Sequence, residues 1–249
     1  MIGFAESRIP TKQSILKDGL ISYWALDEVS GTIAYDSHNS NHLSIRNLPT
    51  LGASGKINTA YQMGGTSDLY LGSAGDFAGL QGLTVSCWIY PVLSSTAAMY
   101  HVFVSKMHTS FTNPYYVFQL RTRFESYQSF EFWLGSNSTY AYVVKRGVYS
   151  TYNWIHLVGT FDGTSGAISL YVNGVKQLIN SFDRLDFTAN TTLNSANTPL
   201  IIGDDPDLYS TLNNFTGKID EVAIWDRQLS DSEIAMLYNG GNGLGYSNF

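Results

Sequence analysis

The chain has 249 residues, 44% of them hydrophobic, which is enough to bury the core of one large domain or two small ones. Only 14% are Asp, Glu, Lys or Arg, against roughly 25% in a typical soluble protein. With 14 Lys and Arg residues and a net charge of −6, the chain lacks a basic surface for phosphates, which argues against nucleic acid as a partner. No stretch approaches the ~20 apolar residues of a spanning helix, so we expect no membrane insertion.

Residues 1–18 are polar, interrupted by Pro10 and without sustained periodicity, which predicts an N-terminal arm before a single domain over residues 19–249. Apolar side chains of such an arm would become ordered on a partner, such as a capsid or fibre subunit. The initiating Met and the lack of a leader or companion domain favour the same interpretation. We therefore expect the protein at a virion surface or in the extracellular space. The sequence leaves open whether it forms a homo-oligomer.

Short apolar runs alternate with turn residues from residue 20 onward. About a dozen such runs follow one another, from "LISYW" at 20–24 to "GKIDEVAIWDR" at 217–227. Most are bounded by Gly, Asn, Asp, Ser or Pro, as strands are. Because helical periodicity is missing before about residue 225, this pattern predicts an all-β antiparallel sandwich of the jelly-roll kind.

One strand junction carries a strong turn signal. In "LYVNGVKQL", residues 170–178, two apolar runs flank Asn173 and Gly174. Both residue types accept positive φ, which a two-residue hairpin turn requires. The sequence therefore predicts a hairpin at this dipeptide.

The one helical pattern lies near the C-terminus, in "LSDSEIAMLYNGG". Ser230 and Glu233 have the spacing of a capping box, and residues 239–241 suit a left-handed helix end. We expect a short C-terminal helix that packs through Ile234 and Leu237 and plugs one end of the sandwich core.

Five blocks of the chain, in order, resemble laminin-G-like domains of the concanavalin A-like lectin/glucanase superfamily. They are "GLISYWALDEVSGTIAYDSHNSNH", "LTVSCWIYP", "NWIHLVGTFDGTSGAISLYVNGVKQ", "PLIIGDD" and "FTGKIDEVAIWDRQLSDSEIAMLYNGG". The resemblance covers about residues 19–240. It implies a concanavalin A-like jelly roll and places four tryptophans at core-type positions: Trp24, Trp88, Trp154 and Trp225.

The same resemblance implies a calcium site. Sandwiches of this superfamily often hold one Ca²⁺ ion on the convex side, between the first and last strands. Asp27 and Asp220 match the family's positions, and because Ca²⁺ takes about six to eight oxygen ligands, a nearby turn would add Asp36, Asn39 or Asn41. We therefore expect structural Ca²⁺ as a cofactor. The alternative is that Asp27 and Asp220 only accept hydrogen bonds from turns.

Aromatic residues supply the candidate ligand-binding surface. The chain has 17 tyrosines and 5 tryptophans. Each offers a flat apolar face and one hydrogen-bonding group, which suits sugar rings and protein epitopes alike. Four candidates are tyrosines in paired or alternating runs: Tyr115, Tyr116, Tyr140 and Tyr142. The fifth is Trp133, which lies in a strand but at no core-type position.

The sequence does not carry the catalytic pattern of the superfamily's enzymes. Laminarinase-like glycosidases have Glu-x-Asp-x-x-Glu on one strand, so that two carboxylates flank the scissile bond. None of the six glutamates has Asp two residues later. Glu125 and Glu131 would share one face of a continuous strand roughly 20 Å apart, too far for this chemistry.

We therefore predict a non-catalytic binding or adhesion module. In this interpretation a virion-associated protein, such as a phage decoration or fibre protein, presents a lectin-like domain to glycans or cell-surface polysaccharide. A secreted carbohydrate-binding lectin domain is the alternative, and a glycoside hydrolase is the remaining one.

Overall fold

A computed structural model describes residues 15–72, 74–92, 100–107, 116–123, 128–137, 139–148, 150–204 and 215–249. Within these ranges no helix has both the length and the apolar character needed to cross a bilayer. The α-helix α1 spans Asp231–Tyr238. The strands are β1 (Leu20–Trp24), β2 (Ile33–Ala34), β3 (Leu43–Arg46), β4 (Thr50–Ser54), β5 (Thr59–Gly64), β6 (Asp68–Leu71), β7 (Gly82–Pro91), β8 (Tyr100–Met107), β9 (Tyr116–Arg123), β10 (Ser129–Ser136), β11 (Thr139–Lys145), β12 (Ile155–Asp162), β13 (Ala167–Val172), β14 (Val175–Lys176), β15 (Arg184–Leu185), β16 (Leu200–Ile202) and β17 (Thr216–Trp225).

These strands form two antiparallel sheets. Sheet A has the order β14-β13-β12-β7-β17-β5-β4, and β1 also pairs with β17. Sheet B has the order β15-β11-β10-β9-β8-β16-β6-β3-β2. Several neighbours, such as β7 and β17, are distant in sequence, as in a jelly roll. The predicted all-β antiparallel sandwich with one short C-terminal helix is confirmed.

The main core lies between the two sheets, because alternate residues of each strand point inward. On β12, Leu157 and Phe161 belong to this core, whereas Val158 between them packs in a second cluster. Gly159 faces Phe132 of sheet B, and a Cβ at this glycine would come within 2.5 Å of the Phe132 ring. Glycine therefore permits close approach of the sheets at this point.

The second apolar cluster covers the outer face of sheet A. Helix α1 contributes Ile234 and Leu237 to it, and they pack with outward side chains of β1, β12, β13 and β17. The prediction that this helix plugs one end of the sandwich core is therefore wrong. Large side chains on the outer face of the sheet explain the difference. Tyr238 of the helix stacks on Trp88, while Phe249, after the helix, covers Tyr23 and Trp225, so that all three are removed from water.

Residues 15–18, predicted as the end of the arm, contact this second cluster. Leu16 is fully buried there, and its carbonyl accepts a hydrogen bond of 2.7 Å from Trp225 Nε1. Arg227 donates to the carbonyls of Ile15 and Asp18, each at 2.8 Å. Residues 1–14 lie outside the described part of the chain, so docking of an arm onto a capsid or fibre protein stays a prediction.

The predicted hairpin turn and the predicted ends of the helix are both confirmed. Asn173 and Gly174 join β13 to β14 with φ of 52° and 74°, the positive values that a two-residue hairpin needs. At α1, the Ser230 hydroxyl accepts from the Glu233 N–H, and the Glu233 carboxylate accepts from the Ser230 N–H at 2.8 Å. Asn239 ends the helix in the left-handed conformation, with φ and ψ both 49°.

The four tryptophans at core-type positions lie in four different environments. Trp24 belongs to the core between the sheets, whereas Trp225 is buried in the second cluster. Trp88 is buried on the outer face of sheet A, where its ring stacks on His156. Trp154 is half-buried and lies edge-on to Tyr90.

Candidate functional site

Three of the predicted aromatic residues meet on the outer face of sheet B. Strands β10 and β11 pair so that Trp133 lies opposite Tyr142, while Phe132 and Leu134 point into the core. The Trp133 and Tyr142 rings stack with centroids 4.5 Å apart and planes 21° apart. Tyr140 lies two residues along β11 on the same face, 5.7 Å from Trp133, and is 53% exposed.

Tyr116 lies beside this group, whereas Tyr115 is outside the described residues. The ring centroid of Tyr116 is 6.0 Å from that of Trp133, with an interplanar angle of 35°. The structure therefore brings together four of the five predicted ligand-binding residues.

A buried cation lies on the other side of Trp133. Arg121, on β9, places its guanidinium carbon 4.8 Å from the Trp133 ring centroid and 4.3 Å from that of Tyr100 on β8. Because β9 and β11 flank β10, Arg121 and Tyr142 contact Trp133 from opposite sides. We name this row of side chains the Trp133 ladder: Tyr100, Arg121, Trp133, Tyr142 and Tyr140. The side chains of the ladder contact one another on the outer face of sheet B. Tyr140, which lies beside Trp133 and Tyr142, is the most exposed of them.

Glu131 fixes both the cation and the indole of the ladder. Its Oε2 accepts from Arg121 Nε at 2.9 Å and from Trp133 Nε1 at 2.8 Å, and its Oε1 accepts from Ser129 Oγ at 3.2 Å. Arg121 and Glu131 are 8% and 3% exposed. Burial by itself would lower the pKa of Arg121, but the Glu131 carboxylate raises it overall, so the guanidinium stays charged.

A polar trough adjoins the ladder at the end of β10. Its volume is about 770 Å³, and its lining includes Ser136, Asn137 and most of segment 188–195. The segment is tied to the ladder strands, since Asn194 Nδ2 donates to the Tyr116 carbonyl at 2.6 Å and Ser136 Oγ to the Thr192 carbonyl at 2.6 Å. Sequence reasoning missed this trough, although the run "TANTTLNS" at 188–195 is rich in hydroxyl and amide side chains.

The predicted calcium ligands Asp27 and Asp220 lie close together at the turn before β5. Asp220 is fully buried, and its Oδ2 accepts from the N–H groups of Lys56 and Ile57 at 2.7 and 3.1 Å. Asp27 Oδ1 accepts from the Thr59 N–H at 2.9 Å. Burial, with a smaller contribution from the charge of Asp27, raises the pKa of Asp220 to about 8 although the backbone hydrogen bonds oppose it.

Of the other three predicted ligands, Asp36 and Asn41 hydrogen-bond to β1, whereas Asn39 bonds its chain neighbour. Asp36 Oδ1 accepts from the Tyr23 N–H at 3.0 Å, and Asn41 Nδ2 donates to Ser22 Oγ at 2.9 Å. Asn39 Oδ1 accepts from the next N–H along the chain at 3.0 Å.

The calcium site stays a prediction after this placement. In the described part of the chain, no group of three or more His, Cys, Asp or Glu residues is arranged to hold a metal ion. Asp27 and Asp220 do accept hydrogen bonds from a turn, as in the alternative interpretation. Ca²⁺ at these two carboxylates would need additional carbonyl or water oxygens to reach about six ligands.

If Ca²⁺ binds at Asp27 and Asp220, a chelator should lower the melting temperature. An ion that binds only the folded state adds about 2.7 kcal/mol at 100 times its dissociation constant. Asp220→Asn should remove the response to calcium, whereas Asp186→Asn, at the edge of sheet B, should keep it. The measurement is thermal unfolding with and without added Ca²⁺. Unchanged melting of the unsubstituted protein, together with no calcium in metal analysis, would show that both aspartates are turn acceptors only.

Comparison with known families gives one match over most of the chain. The Laminin_G_3 family model, described as the Concanavalin A-like lectin/glucanases superfamily, matches residues 63–235. C-reactive protein of Cavia porcellus is 31% identical over 91 residues, which is 35% of this chain and 38% of that protein. The chain thus matches little more than a third of the length of this relative.

Solved structures with the same fold include several binding domains. Domain 4 of AbnA, a GH43 extracellular arabinanase from Geobacillus stearothermophilus, in complex with arabinotriose, superimposes with a TM-score of 0.62 at 19% identity, covering 87% of this chain and 97% of that domain. The binding domain of Paraclostridial Mosquitocidal Protein 1 gives 0.67 at 18% identity, covering 91% and 53% of the two chains. The binding domain of Botulinum Neurotoxin DC, in complex with SialylT, gives 0.61 at 12%, covering 90% and 51%. At these identities the likeness shows the fold alone.

Proposed function

Because the chain belongs to the concanavalin A-like lectin/glucanase superfamily, we propose that it is a non-catalytic domain that binds glycans through the Trp133 ladder. The observation that carries this proposal is the row of stacked aromatic side chains on the outer face of sheet B, ending in the half-exposed Tyr140. Fold alone does not fix a ligand, so the argument depends on the chemistry of this row.

The ladder suits a sugar because a pyranose or furanose ring has apolar C–H surfaces and a rim of hydroxyl groups. The Tyr140 ring offers apolar surface, and the phenol hydroxyls of Tyr140 and Tyr142 offer hydrogen bonds. The Arg121–Glu131 pair holds Trp133 in place before any ligand arrives, which reduces the entropy lost on binding. The complex of AbnA domain 4 with arabinotriose supports a sugar as the ligand class.

The hydrogen bonds and the burial of Glu131 support binding without catalysis. Glycoside hydrolysis needs two carboxyl groups on either side of the scissile bond, one of them free to donate a proton. Glu131 instead accepts from Arg121, Ser129 and Trp133, and it is 3% exposed. Its role at the ladder is to position the neighbouring side chains.

A glycan array displayed at high density tests the proposed function. A single copy should bind monosaccharides weakly, with a dissociation constant of about 1 mM and a free energy of about −4 kcal/mol. Clustering several copies on a bead or scaffold should give stable binding through avidity. A clustered protein that binds no glycan across a broad array would contradict the proposal.

Display on an extracellular or virion surface is part of the same proposal. The low content of charged residues, 14%, supports it. Attachment to a capsid or fibre protein through the N-terminal arm, predicted over residues 1–18, remains a prediction, as does a homo-oligomer.

A further inference from the structure

The polar trough lies beside the Trp133 ladder, at the end of strand β10. Ser136, in the trough lining, is the last residue of β10 and comes three residues after Trp133, a distance of about 10 Å along a strand. Between them, a Cβ at Gly135 would collide with the Tyr116 carbonyl and the Asn194 side chain, so glycine allows these groups to lie directly over β10. The ladder and the trough therefore share a border made by Tyr116 and Asn194.

The described residues that line the trough are mostly polar and include no charged side chain. They are Gly79, Leu193 and residues with hydroxyl or amide groups, and among the latter Asn137, Thr188, Asn190, Thr192 and Ser195 are exposed. An anionic or cationic ligand would find no opposite charge among these residues, and the net charge of −6 further disfavours anions. Neutral hydroxyl groups are the ligand groups that this lining fits.

The backbone of the trough is held in place on both sides. The Leu193 N–H donates to the Leu80 carbonyl and the Thr191 N–H to the Gly163 carbonyl, both at 2.9 Å. The Asn194 N–H donates to the Gly135 carbonyl, also at 2.9 Å. Because these hydrogen bonds exist without a ligand, binding at the trough does not require the entropy loss of ordering a loop.

We propose that the ladder and the trough form one extended site for several consecutive units of a neutral polysaccharide. This inference rests on the proposed function and adds the ligand's charge and length. The ladder packs against the ring of one sugar unit, and the trough hydrogen-bonds the hydroxyl groups of the units that follow. A monosaccharide then reaches only one part of the site, whereas a longer chain reaches both.

Titration with neutral oligosaccharides of increasing length tests the inference. Arabino-, xylo- and gluco-oligosaccharides, from mono- to hexasaccharide, would be titrated into the protein by calorimetry. Affinity should rise about tenfold or more between the disaccharide and the longer members of the series that binds. The double variant Asn137→Gly with Thr192→Ala should lose this gain while keeping the affinity for the shortest ligands.

The variants are chosen so that folding is preserved. Asn137 has φ of 49°, a conformation that glycine adopts without strain, and Thr192 is exposed. Asn239→Gly makes the same change at φ of 49° on the far side of sheet A, and it should bind every ligand as the unsubstituted protein does.

Two results distinguish a failure of the extended site from a failure of the proposed glycan binding. Equal affinity for short and long oligosaccharides, or a double variant that keeps the full gain with length, overturns the extended site and leaves the glycan-binding proposal intact. A protein that binds no member of the three series and no glycan of the array overturns both.

Discussion

Replacing Trp133 with alanine is expected to weaken glycan binding by about 30-fold or more. Trp133 touches Tyr142, Tyr140 and Arg121, so its removal separates the ladder into parts. Truncating a central aromatic residue of a binding surface typically costs about 2 kcal/mol or more, which corresponds to this ratio. Tyr140→Ala should weaken binding as well, because it removes the exposed end of the ladder while the Trp133–Tyr142 stack remains.

Two substitutions in the segment just before β12 serve as controls for these variants. Trp154 is half-buried against Tyr90, and Trp154→Ala removes an indole far from the ladder. Tyr152 is 52% exposed, nearly the same as Tyr140, so Tyr152→Ala matches Tyr140→Ala in exposure. Both controls should retain binding to the array. If the Trp133→Ala protein folds and binds glycans as strongly as the unsubstituted protein, the ladder is not the binding site.

The strands that the sequence revealed are those with local signals. β7, β10 and β12 are rich in aromatic and β-branched residues and are bounded by turn residues, so their existence follows from composition alone. β4 (TLGAS) and β5 (TAYQMG) were not predicted. Small and flexible residues give them little β-propensity, and β5 is held in the sheet by β17, which follows much later in the chain.

The position of the helix shows a second limit of sequence reasoning. Its ends follow from residues three to nine positions apart, which is why both caps could be predicted. Which surface it covers depends on Tyr23 and Trp225, which lie on strands from opposite ends of the domain. Leu20, Ile21, Tyr23 and Trp24 put apolar side chains on both faces of "LISYW", which indicates that β1 is covered on both sides but not which element covers it.

The candidate site could also be predicted only in part from the sequence. Tyr140 and Tyr142 are two residues apart, so a strand places them on one face, and this much follows from the sequence. That Arg121 inserts between Tyr100 and Trp133 depends on the registers of three strands. The trough is further from prediction, because segment 188–195 has no regular structure and is positioned by single hydrogen bonds to β10 and to the chain before β7.

The largest effect on stability is expected from Arg121→Met, which should lower the free energy of unfolding by about 3–5 kcal/mol. The cause is the Glu131 carboxylate, which would remain buried at 3% exposure without its cation. Chemical denaturation at neutral pH measures the change. Arg146→Met is the matched control: Arg146 pairs with Asp183 at 2.6 Å, but its side chain is 41% exposed, so its loss should cost less than about 1 kcal/mol.

A double variant separates stability from binding at this pair. Arg121→Met combined with Glu131→Leu removes both buried charges, and we expect it to recover most of the stability lost by Arg121→Met alone. Glycan binding should nevertheless stay impaired, because Trp133 Nε1 loses its acceptor and its ring loses the guanidinium beside it. A double variant that is stable and binds normally would show that the ion pair does not position the ladder. A loss below about 1 kcal/mol for Arg121→Met would show that water solvates Glu131 in the folded protein, since a solvated carboxylate does not need a buried cation.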